Sequence, residues 1–319
     1  MGLNMRVLVT GGAGFIGSHL VEALVRDGRS VVVADNLTTG KTENIAPVMD
    51  KIDFRVLDIA QLDQAREAVK GVDAVLHHAA LASVQGSVDD PVGADRINTT
   101  GTINMLQAAR EADVKRFVFA ASAAAYGDDP SFPKVETQAP RPLSPYAVAK
   151  IAGEYYCSVF WQLYGLPTIC LRYFNVFGPR QNPKSEYAAV IPKFIARMVD
   201  GQPPTIFGDG EQSRDFIYIG DVVRANLLAL DTDKGFGEVI NAAGGRSLTL
   251  NQLFGAIRDI LGVEMEAVYE SAREGDIKDS LADISKARAL LGYDPSVSLE
   301  DGLRLTVEWF QSSRKADGK

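Results

Sequence analysis

The sequence predicts an α/β fold built on a doubly wound parallel sheet, with a smaller C-terminal α/β lobe. Short apolar runs rich in β-branched residues, such as residues 31–34, alternate with helix-like segments through the first half. Buried parallel strands have this continuous apolar character. The intervening segments are long enough to be helical crossovers between parallel strands. After residue 175 prolines become frequent and the pattern loosens, which indicates a second lobe.

The elements follow in chain order. Strands are predicted at residues 5–9, 31–34, 53–57, 74–78, 116–121 and 168–172, and helices at residues 61–70, 95–112 and 146–164. In the second half, helices are predicted at residues 191–200, 221–230, 249–261 and 299–313, and strands at residues 214–219 and 237–241. We therefore expect a main domain at residues 1–174, with a return of residues 214–243, and a smaller lobe at residues 175–319. Ligands are expected at the carboxyl ends of the strands and between the lobes.

Composition narrows the range of partners. Of the 319 residues, 46% are hydrophobic and 23% charged, and 33 basic against 41 acidic residues give a net charge of −8. Without a basic stripe or an apolar run of ~18 residues, neither nucleic acid nor a membrane is an expected partner. Cys157 and Cys170 are expected to be buried free thiols, and the lack of a secretory leader predicts a cytoplasmic protein. His19, His77 and His78 are too scattered for a metal site, and none is predicted.

A glycine cluster joins the first strand to the first helix. Gly11, Gly14 and Gly17 precede or open a helical pattern that begins at Ile16. Glycines at this place let backbone N–H groups approach a pyrophosphate at the positive end of a helix. Asp35 ends the next apolar run, where a carboxylate can accept both ribose hydroxyls of NAD and would repel the 2′-phosphate of NADP. A tight turn without a ligand is the alternative, but the complete strand–turn–helix–strand context favours a Rossmann-type NAD site.

Tyr146 and Lys150 lie four residues apart in the predicted helix 146–164, so both occupy one helix face. A free tyrosine has a pKa of about 10. A neighbouring ammonium together with a cationic nicotinamide ring would lower that pKa toward neutrality. Ser122 directly follows the strand 116–121 and could hydrogen-bond a reacting oxygen beside Tyr146. The alternatives are an ordinary amphipathic helix face and a serine that satisfies backbone groups; the three residues together favour acid–base chemistry.

In combination these motifs resemble the extended short-chain dehydrogenase/reductase family, and more narrowly its UDP-hexose 4-epimerases. The resemblance runs from residue 5 to about residue 310. It is carried by TGGAGFIG at residues 10–17, Asp35-Asn36, Asp58-Ile59, HAA at residues 78–80, Asn98, Ser122, YxxxK at residues 146–150 and RYFN at residues 172–175. The run SAAAYG at residues 122–127 lacks the Thr-Asp-Glu of nucleotide-sugar 4,6-dehydratases, so no carboxylate is placed for dehydration.

The resemblance implies a role for each catalytic and cofactor residue. Tyr146 would take the proton of the sugar 4′-hydroxyl while NAD⁺ accepts hydride from C4, and Ser122 would steady that oxygen. Lys150 would hold ribose hydroxyls and lower the pKa of Tyr146. The expected cofactor-binding residues are Gly11, Gly14, Phe15, Ile16, Gly17, Asp35, Asn36, Asp58, Ile59, Ala79, Ala80, Asn98, Tyr146, Lys150 and Tyr173.

A second set of matching residues would bind a UDP-sugar. Its members are Ser83, Ser122, Tyr146, Asn175, Ala189, Val190, Arg214, Arg273, Asp276 and Ser280. Arg214 and Arg273 would clamp the diphosphate, because guanidinium–phosphate contacts are bidentate and charge-assisted. Asp276 would accept a hydrogen bond from the uridine ribose. Some epimerases carry Asn where Ala189 stands, so that contact is expected to come from backbone or from another residue.

Ser280 matches the position expected to set the substrate. Epimerases restricted to UDP-glucose and UDP-galactose carry Tyr there, whereas those that accept N-acetylated sugars carry a small residue. The resemblance thus implies a UDP-N-acetylglucosamine 4-epimerase that could also act on the non-acetylated pair. UDP-glucose 4-epimerase, UDP-glucuronate 4-epimerase and a non-catalytic NAD-sensing scaffold are the alternatives. A homodimer through the helices near residues 95–112 and 146–164 is expected from the family.

Overall fold

The structure, a computed structural model, describes residues 5–183, 189–272 and 278–316. The strands are β1 (Arg6–Thr10), β2 (Ser30–Asp35), β3 (Ile52–Val56), β4 (Ala74–His77), β5 (Arg116–Ser122), β6 (Thr168–Tyr173), β7 (Asn175–Phe177), β8 (Thr205–Phe207), β9 (Ser213–Tyr218), β10 (Glu238–Ala242), β11 (Ser247–Thr249) and β12 (Val268–Glu270). The α-helices are α1 (Phe15–Arg26), α2 (Leu62–Ala68), α3 (Val84–Asp89), α4 (Pro91–Asp95), α5 (Gly101–Glu111), α6 (Pro145–Tyr164), α7 (Val190–Val199), α8 (Ile219–Asp231), α9 (Leu250–Leu261), α10 (Ser285–Leu291) and α11 (Leu299–Ala316).

Seven parallel strands form the central sheet, in the order β10-β6-β5-β4-β1-β2-β3. The chain runs outward from β1 to β3 and then returns to place β4 on the other side of β1. The strand order therefore reverses between β1 and β4, and a crevice opens there at the carboxyl ends of the strands. The predicted Rossmann-type α/β fold is confirmed.

Helices cover both faces of this sheet. In β5, Val118 and Ala120 join the apolar core that includes α1 and α8, whereas Phe117, Phe119 and Ala121 join the core that includes α2, α5 and α6. A strand with apolar neighbours on both faces has no reason to alternate between apolar and polar residues. This double burial explains the continuous apolar runs of the first half.

The remaining strands build the smaller lobe. β11, β9 and β7 form a three-stranded sheet, and β12 pairs with β8. Helices α7, α9 and α11 pack around a third apolar core, which includes Phe194, Leu253 and Val307. Within the predicted return of residues 214–243, β10 enters the central sheet beside β6, whereas β9 stays in the small sheet. The domain boundary at residue 174 stays a prediction.

One buried carboxylate connects the small sheet to the central sheet. Asp215 of β9 is fully buried and accepts backbone N–H groups from Gly244 (2.8 Å), Gly245 (3.1 Å) and Ala282 (3.1 Å). The two glycines directly follow β10 of the central sheet, and Ala282 bridges to Lys134 of the main domain. Asp215 thus holds three chain segments at the junction between the lobes.

Candidate active site

The turn between β1 and α1 is shaped by glycines that no larger residue could replace. Gly11 has φ +67°, and a Cβ added to it would lie 2.8 Å from the backbone nitrogen of Ala79. A Cβ added to Gly17 would lie 2.1 Å from the carbonyl oxygen of Gly11. Gly14 is the N-cap of α1 and provides no side-chain cap, so the first N–H groups of the helix are left to an anion. This cradle fits the pyrophosphate of a dinucleotide.

Polar side chains lie at the carboxyl ends of β2 and β3, at the same edge of the central sheet. Asp35 is 7% exposed, and its carboxylate accepts the N–H groups of Ala13 (3.0 Å) and Leu37 (2.8 Å), so it lies against the glycine turn. Asn36 accepts from the backbone N–H of the exposed Thr38, and Asp58 accepts the N–H of Ala60 (3.0 Å). The Asp35 carboxylate thus lies beside the glycine turn, and its role as a ribose acceptor stays a prediction.

Ile59 and the neighbours of β4 complete the cofactor crevice. The side chain of Ile59 is buried, and a Cβ on Gly101 of α5 would lie 2.7 Å from its tip. Ala79 and Ala80 follow β4 at the reversal of the strand order. Asn98, 2% exposed, fixes the segment that follows them, because its amide accepts the N–H of Leu81 (2.7 Å) and donates to the Leu81 carbonyl (3.1 Å).

Asn98 lies in a π-helical turn, Arg96–Thr100, between α4 and α5. The chain is helical through residues 91–111, as the prediction of a helix at residues 95–112 requires, but its hydrogen-bond pattern changes over residues 96–100. A π-turn inserts one extra residue into the i→i+4 ladder and often marks functional sites. Asn98 lies within this turn, and its side-chain amide bonds the loop after β4.

Ser122, Tyr146 and Lys150 come together at the carboxyl ends of β5 and β6. Ser122 ends β5, its hydroxyl accepts the N–H of Ala124 (3.2 Å), and its presence beside Tyr146 acts to lower the pKa of the phenol. Lys150 is 5% exposed; its Nζ donates to the Ala120 carbonyl (2.8 Å) and lies 5.8 Å from the centre of the Tyr146 ring. The sequence-predicted trio thus forms one cluster.

The pKa shifts of Tyr146 and Lys150 differ in part from the expectation that Lys150 lowers the pKa of Tyr146. Burial raises the pKa of the Tyr146 phenol, and the Ser122 hydroxyl offsets this only partly. Burial also lowers the pKa of the Lys150 ammonium to about 8, against an opposing contribution from Glu154. The ammonium donates to the Ala120 carbonyl, so the protein groups alone favour a neutral phenol. A cationic nicotinamide ring bound beside the phenol would add a positive charge that lowers the pKa of Tyr146.

Buried ion pairing connects the helix of the trio to the sheet. Glu154, one turn after Lys150 on α6, makes a bidentate pair with Arg172 of β6, with both N···O distances 2.7 Å. The two side chains are 5% and 4% exposed. The Arg172 guanidinium also lies 4.7 Å from the ring centre of Tyr126, in the short turn that follows Ser122. The Glu154–Arg172 pair thus connects α6 to β6, and the contact of Arg172 with Tyr126 extends this connection to the turn after Ser122.

Tyr173 is buried in a polar contact that the sequence did not indicate. Its hydroxyl lies 2.9 Å from His78 Nε2 and within 3.0 Å of the Asn226 amide on α8, and its ring stacks on His78. Burial lowers the pKa of His78 to about 3. His78 therefore stays neutral at physiological pH and adds no positive charge beside Tyr173.

The predicted substrate residues are divided between two places. Asn175, Ala189, Val190 and Arg214 line one cleft of about 830 Å³ in the smaller lobe, together with Lys193 and Phe207, which the sequence reasoning missed. Ser83 is instead the N-cap of α3, where its hydroxyl accepts the N–H of Gly86 (2.9 Å). Arg273 and Asp276 lie outside the described residues.

Ser280 lies next to the Arg214 strand. Its N–H donates to the carbonyl of Ser213 (3.1 Å), and its carbonyl accepts from the Ser247 hydroxyl (3.0 Å). Arg214 donates to the Ser213 and Lys278 carbonyls (2.8 and 3.3 Å), so the segment of Ser280 runs beside the cleft. Its small side chain is only partly exposed.

The remaining expectations concern metal, membrane and thiols. Among residues 5–183, 189–272 and 278–316, no group of three or more His, Cys, Asp or Glu side chains could hold a metal ion. No helix in those ranges has the length and apolar character needed to cross a bilayer. Cys157 and Cys170 are both buried and free, as predicted.

The fold, the glycine cradle and the Ser–Tyr–Lys cluster define a short-chain dehydrogenase/reductase, and the comparisons agree. The sequence profile of the NAD dependent epimerase/dehydratase family matches residues 7–243, and the chain belongs to this family. The UDP-N-acetylglucosamine 4-epimerase of Methanobrevibacter ruminantium M1, solved with UDP-N-acetylmuramic acid, is 44% identical, with a TM-score of 0.93 and coverage of 97% of this chain and 99% of that one.

Two further solved structures are similar over the whole chain. The UDP-glucose 4-epimerase of Thermotoga maritima, solved with UDP-glucose, is 43% identical, with a TM-score of 0.92 and coverage of 97% and 100% of the two chains. The UDP-glucose 4-epimerase of Thermus thermophilus, solved with NAD, is 40% identical, with a TM-score of 0.88 and the same coverage. The predicted enzyme class, an NAD-dependent UDP-sugar 4-epimerase, is confirmed, and so is NAD as the cofactor.

Proposed function

We propose that this enzyme interconverts UDP-N-acetylglucosamine and UDP-N-acetylgalactosamine by inversion at C4, and that it also accepts the non-acetylated pair. The proposal depends on Ser280, the small residue at the position where the resemblance expects a tyrosine in enzymes restricted to UDP-glucose. A serine leaves room for a 2-acetamido group that a tyrosine ring would exclude. Identity does not decide between the sugars, because the relatives named for N-acetylglucosamine and for glucose are 44% and 43% identical.

Each member of the trio has a part in the proposed reaction. Bound NAD⁺ supplies the chemistry of accepting a hydride from the sugar and returning it. Tyr146 removes the proton of the 4′-hydroxyl, and Ser122, whose hydroxyl acts to lower the pKa of Tyr146, steadies the same oxygen. Lys150 holds cofactor ribose hydroxyls and keeps a positive charge near the phenol.

The cleft of the smaller lobe would hold the UDP end. Arg214 and Asn175 line it and would contact the diphosphate, with Ala189 and Val190 on the nucleotide side. Arg273 and Asp276 are proposed to complete the diphosphate and ribose contacts. With the diphosphate held, the 4-keto sugar turns about this anchor and presents its opposite face to the trio. The hydride would then return to C4 on its opposite face while Tyr146 returns the proton to the 4-oxygen, so that the configuration at C4 is inverted.

Substitution of Ser280 tests the substrate assignment. Ser280→Tyr is expected to abolish turnover of UDP-N-acetylglucosamine and to leave UDP-glucose turnover within a few fold of the parent, measured with each sugar at saturation. Ser280→Ala is the matched control, since it removes the hydroxyl without filling the space. Equal activity of parent and tyrosine variant on the acetylated sugar would overturn the proposal. UDP-glucuronate as the best parent substrate would favour that alternative, and absence of turnover with every UDP-sugar would favour the NAD-sensing scaffold.

A homodimer through α6 is part of the proposal. Val148, Tyr155, Val159 and Leu163 are 54%, 62%, 41% and 68% exposed, and their spacing of seven, four and four residues places them on one face of the helix. An apolar face of this kind is typical of an interface. Leu163→Glu is expected to convert a dimer into a monomer in analytical ultracentrifugation. A cytoplasmic location stays a prediction.

A further inference from the structure

Ser87 makes a contact with the catalytic helix that none of the sequence motifs indicated. It lies in α3 and is fully buried. Its hydroxyl accepts the backbone N–H of Tyr146 (3.0 Å) and donates to the carbonyl of Val84 (2.6 Å). Both functions of the hydroxyl are thus used, and one of them acts directly on the residue that carries the phenol.

The first turn of α6 explains why this bond matters. A helix begins with N–H groups that have no partner within the helix. Pro145 at the first position has no N–H, Ser144 accepts the N–H of Ala147 (3.2 Å), and the carbonyl of Ser144 accepts that of Val148 (3.0 Å). Tyr146 is the remaining donor of this turn, and its partner comes from α3, not from α6 itself.

We propose that Ser87 is a positioning residue for Tyr146, holding the phenol within reach of the Ser122 hydroxyl. The inference rests on the role proposed for Tyr146. One helical turn deeper, Lys150 is fixed by its bond to the Ala120 carbonyl. Ser87 fixes the backbone at Tyr146, and the Ala120 carbonyl fixes the side chain of Lys150 four residues later. The two bonds together determine the direction in which the Tyr146 side chain points.

The same short helix also carries a residue that is predicted to contact the sugar. Ser83, a predicted sugar contact, caps α3 four residues before Ser87, and α3 packs against α6. The cap bond between Ser83 and Gly86 does not involve the Ser87 hydroxyl, so Ser83 is expected to stay in place when that hydroxyl is removed. Ser87 acts only through Tyr146 and touches no reacting atom, so its removal is expected to change kcat more than the KM for the UDP-sugar.

Two alanine variants separate positioning from stability. Ser87→Ala removes the acceptor for Tyr146, and Ser144→Ala removes the acceptor for Ala147 in the same turn, so both remove one cap of the same helix. Kinetics with UDP-N-acetylglucosamine and UDP-glucose, affinity for NAD⁺ and the thermal unfolding midpoint are measured for both. We expect Ser87→Ala to lower kcat by roughly 10- to 100-fold. KM and NAD⁺ affinity should stay within about twofold, and Ser144→Ala should keep kcat within about threefold at a similar unfolding midpoint.

The outcomes distinguish this inference from the proposed function. If Tyr146→Phe retains full turnover, the role of Tyr146 fails. If Tyr146→Phe is inactive but Ser87→Ala and Ser144→Ala lower kcat equally, only the positioning role of Ser87 is overturned. Should Ser87→Ala not fold, Ser87→Cys keeps the size with a weaker acceptor and is expected to have an intermediate kcat. A folded cysteine variant with the parent kcat would also overturn the inference.

Discussion

The buried ammonium of Lys150 should make the stability of the cofactor-free enzyme depend on pH in a predictable direction. Burial lowers its pKa from the ordinary value of 10.5 to about 8. Because the unfolded chain binds the proton more tightly, the folded state carries a cost that is complete below pH 8. The cost disappears as the pH rises from about 8 to 10.5. The difference between the two values corresponds to about 3 kcal/mol.

Lys150→Met isolates this contribution. Urea unfolding of parent and variant, each freed of NAD, is compared at intervals between pH 7 and pH 10.5. We expect the free energy of unfolding of the parent to rise by about 3 kcal/mol relative to the methionine variant across this range. Lys150→Arg is the control, because a guanidinium stays charged throughout and its difference from the methionine variant should not change. A constant difference between parent and methionine variant would refute the reasoning.

Three other substitutions test separate parts of the site. Gly17→Ala should abolish NAD retention in the purified enzyme, because the new Cβ would lie 2.1 Å from the Gly11 carbonyl, whereas Gly255→Ala, with open space around its Cβ, should retain the cofactor. Glu154→Gln should lower the free energy of unfolding by about 3–5 kcal/mol, since it leaves Arg172 buried without its counter-ion. The exposed pair of Glu300 and Arg304 offers the control, with a cost below about 1 kcal/mol for Glu300→Gln. Asp35→Asn should weaken NAD⁺ binding by about tenfold, because a ribose acceptor is lost, and should reduce the preference for NAD⁺ over NADP⁺. Both affinities are measured by calorimetry, and an unchanged ratio of the two would contradict the assigned role.

The central sheet was predictable because its strands are buried on both faces and therefore appear in the sequence as short, continuous apolar runs. Continuous apolar runs such as residues 31–34 and 116–121 correspond to β2 and β5, and the helix expected at residues 146–164 corresponds to α6. The spacing of Tyr146 and Lys150 predicted one helix face, and chain order alone placed Ser122 at the end of β5. These features depend on local periodicity, which a single sequence contains.

Other features depend on contacts that periodicity does not report. The π-turn at Arg96–Thr100 leaves the apolar pattern of a helix intact, so residues 95–112 gave no sign of the interruption. Strands β7, β8, β11 and β12 have three residues each, too few for an alternating pattern. Ser87 resembles any other small helical residue until α6 is packed against it. A pair of serines four residues apart, at positions 83 and 87, was the one available signal.

Asp215 has a consequence for how far the sugar can travel during turnover. The Asp215 carboxylate accepts N–H groups from Gly244 and Gly245, after the last strand of the central sheet, and from Ala282, in the segment that carries Ser280. Neither half of the enzyme can drift from the other without releasing several of these bonds at once. If a ketosugar turns over between the two hydride transfers, the expectation is therefore that the substrate rotates while the two lobes keep their relative position.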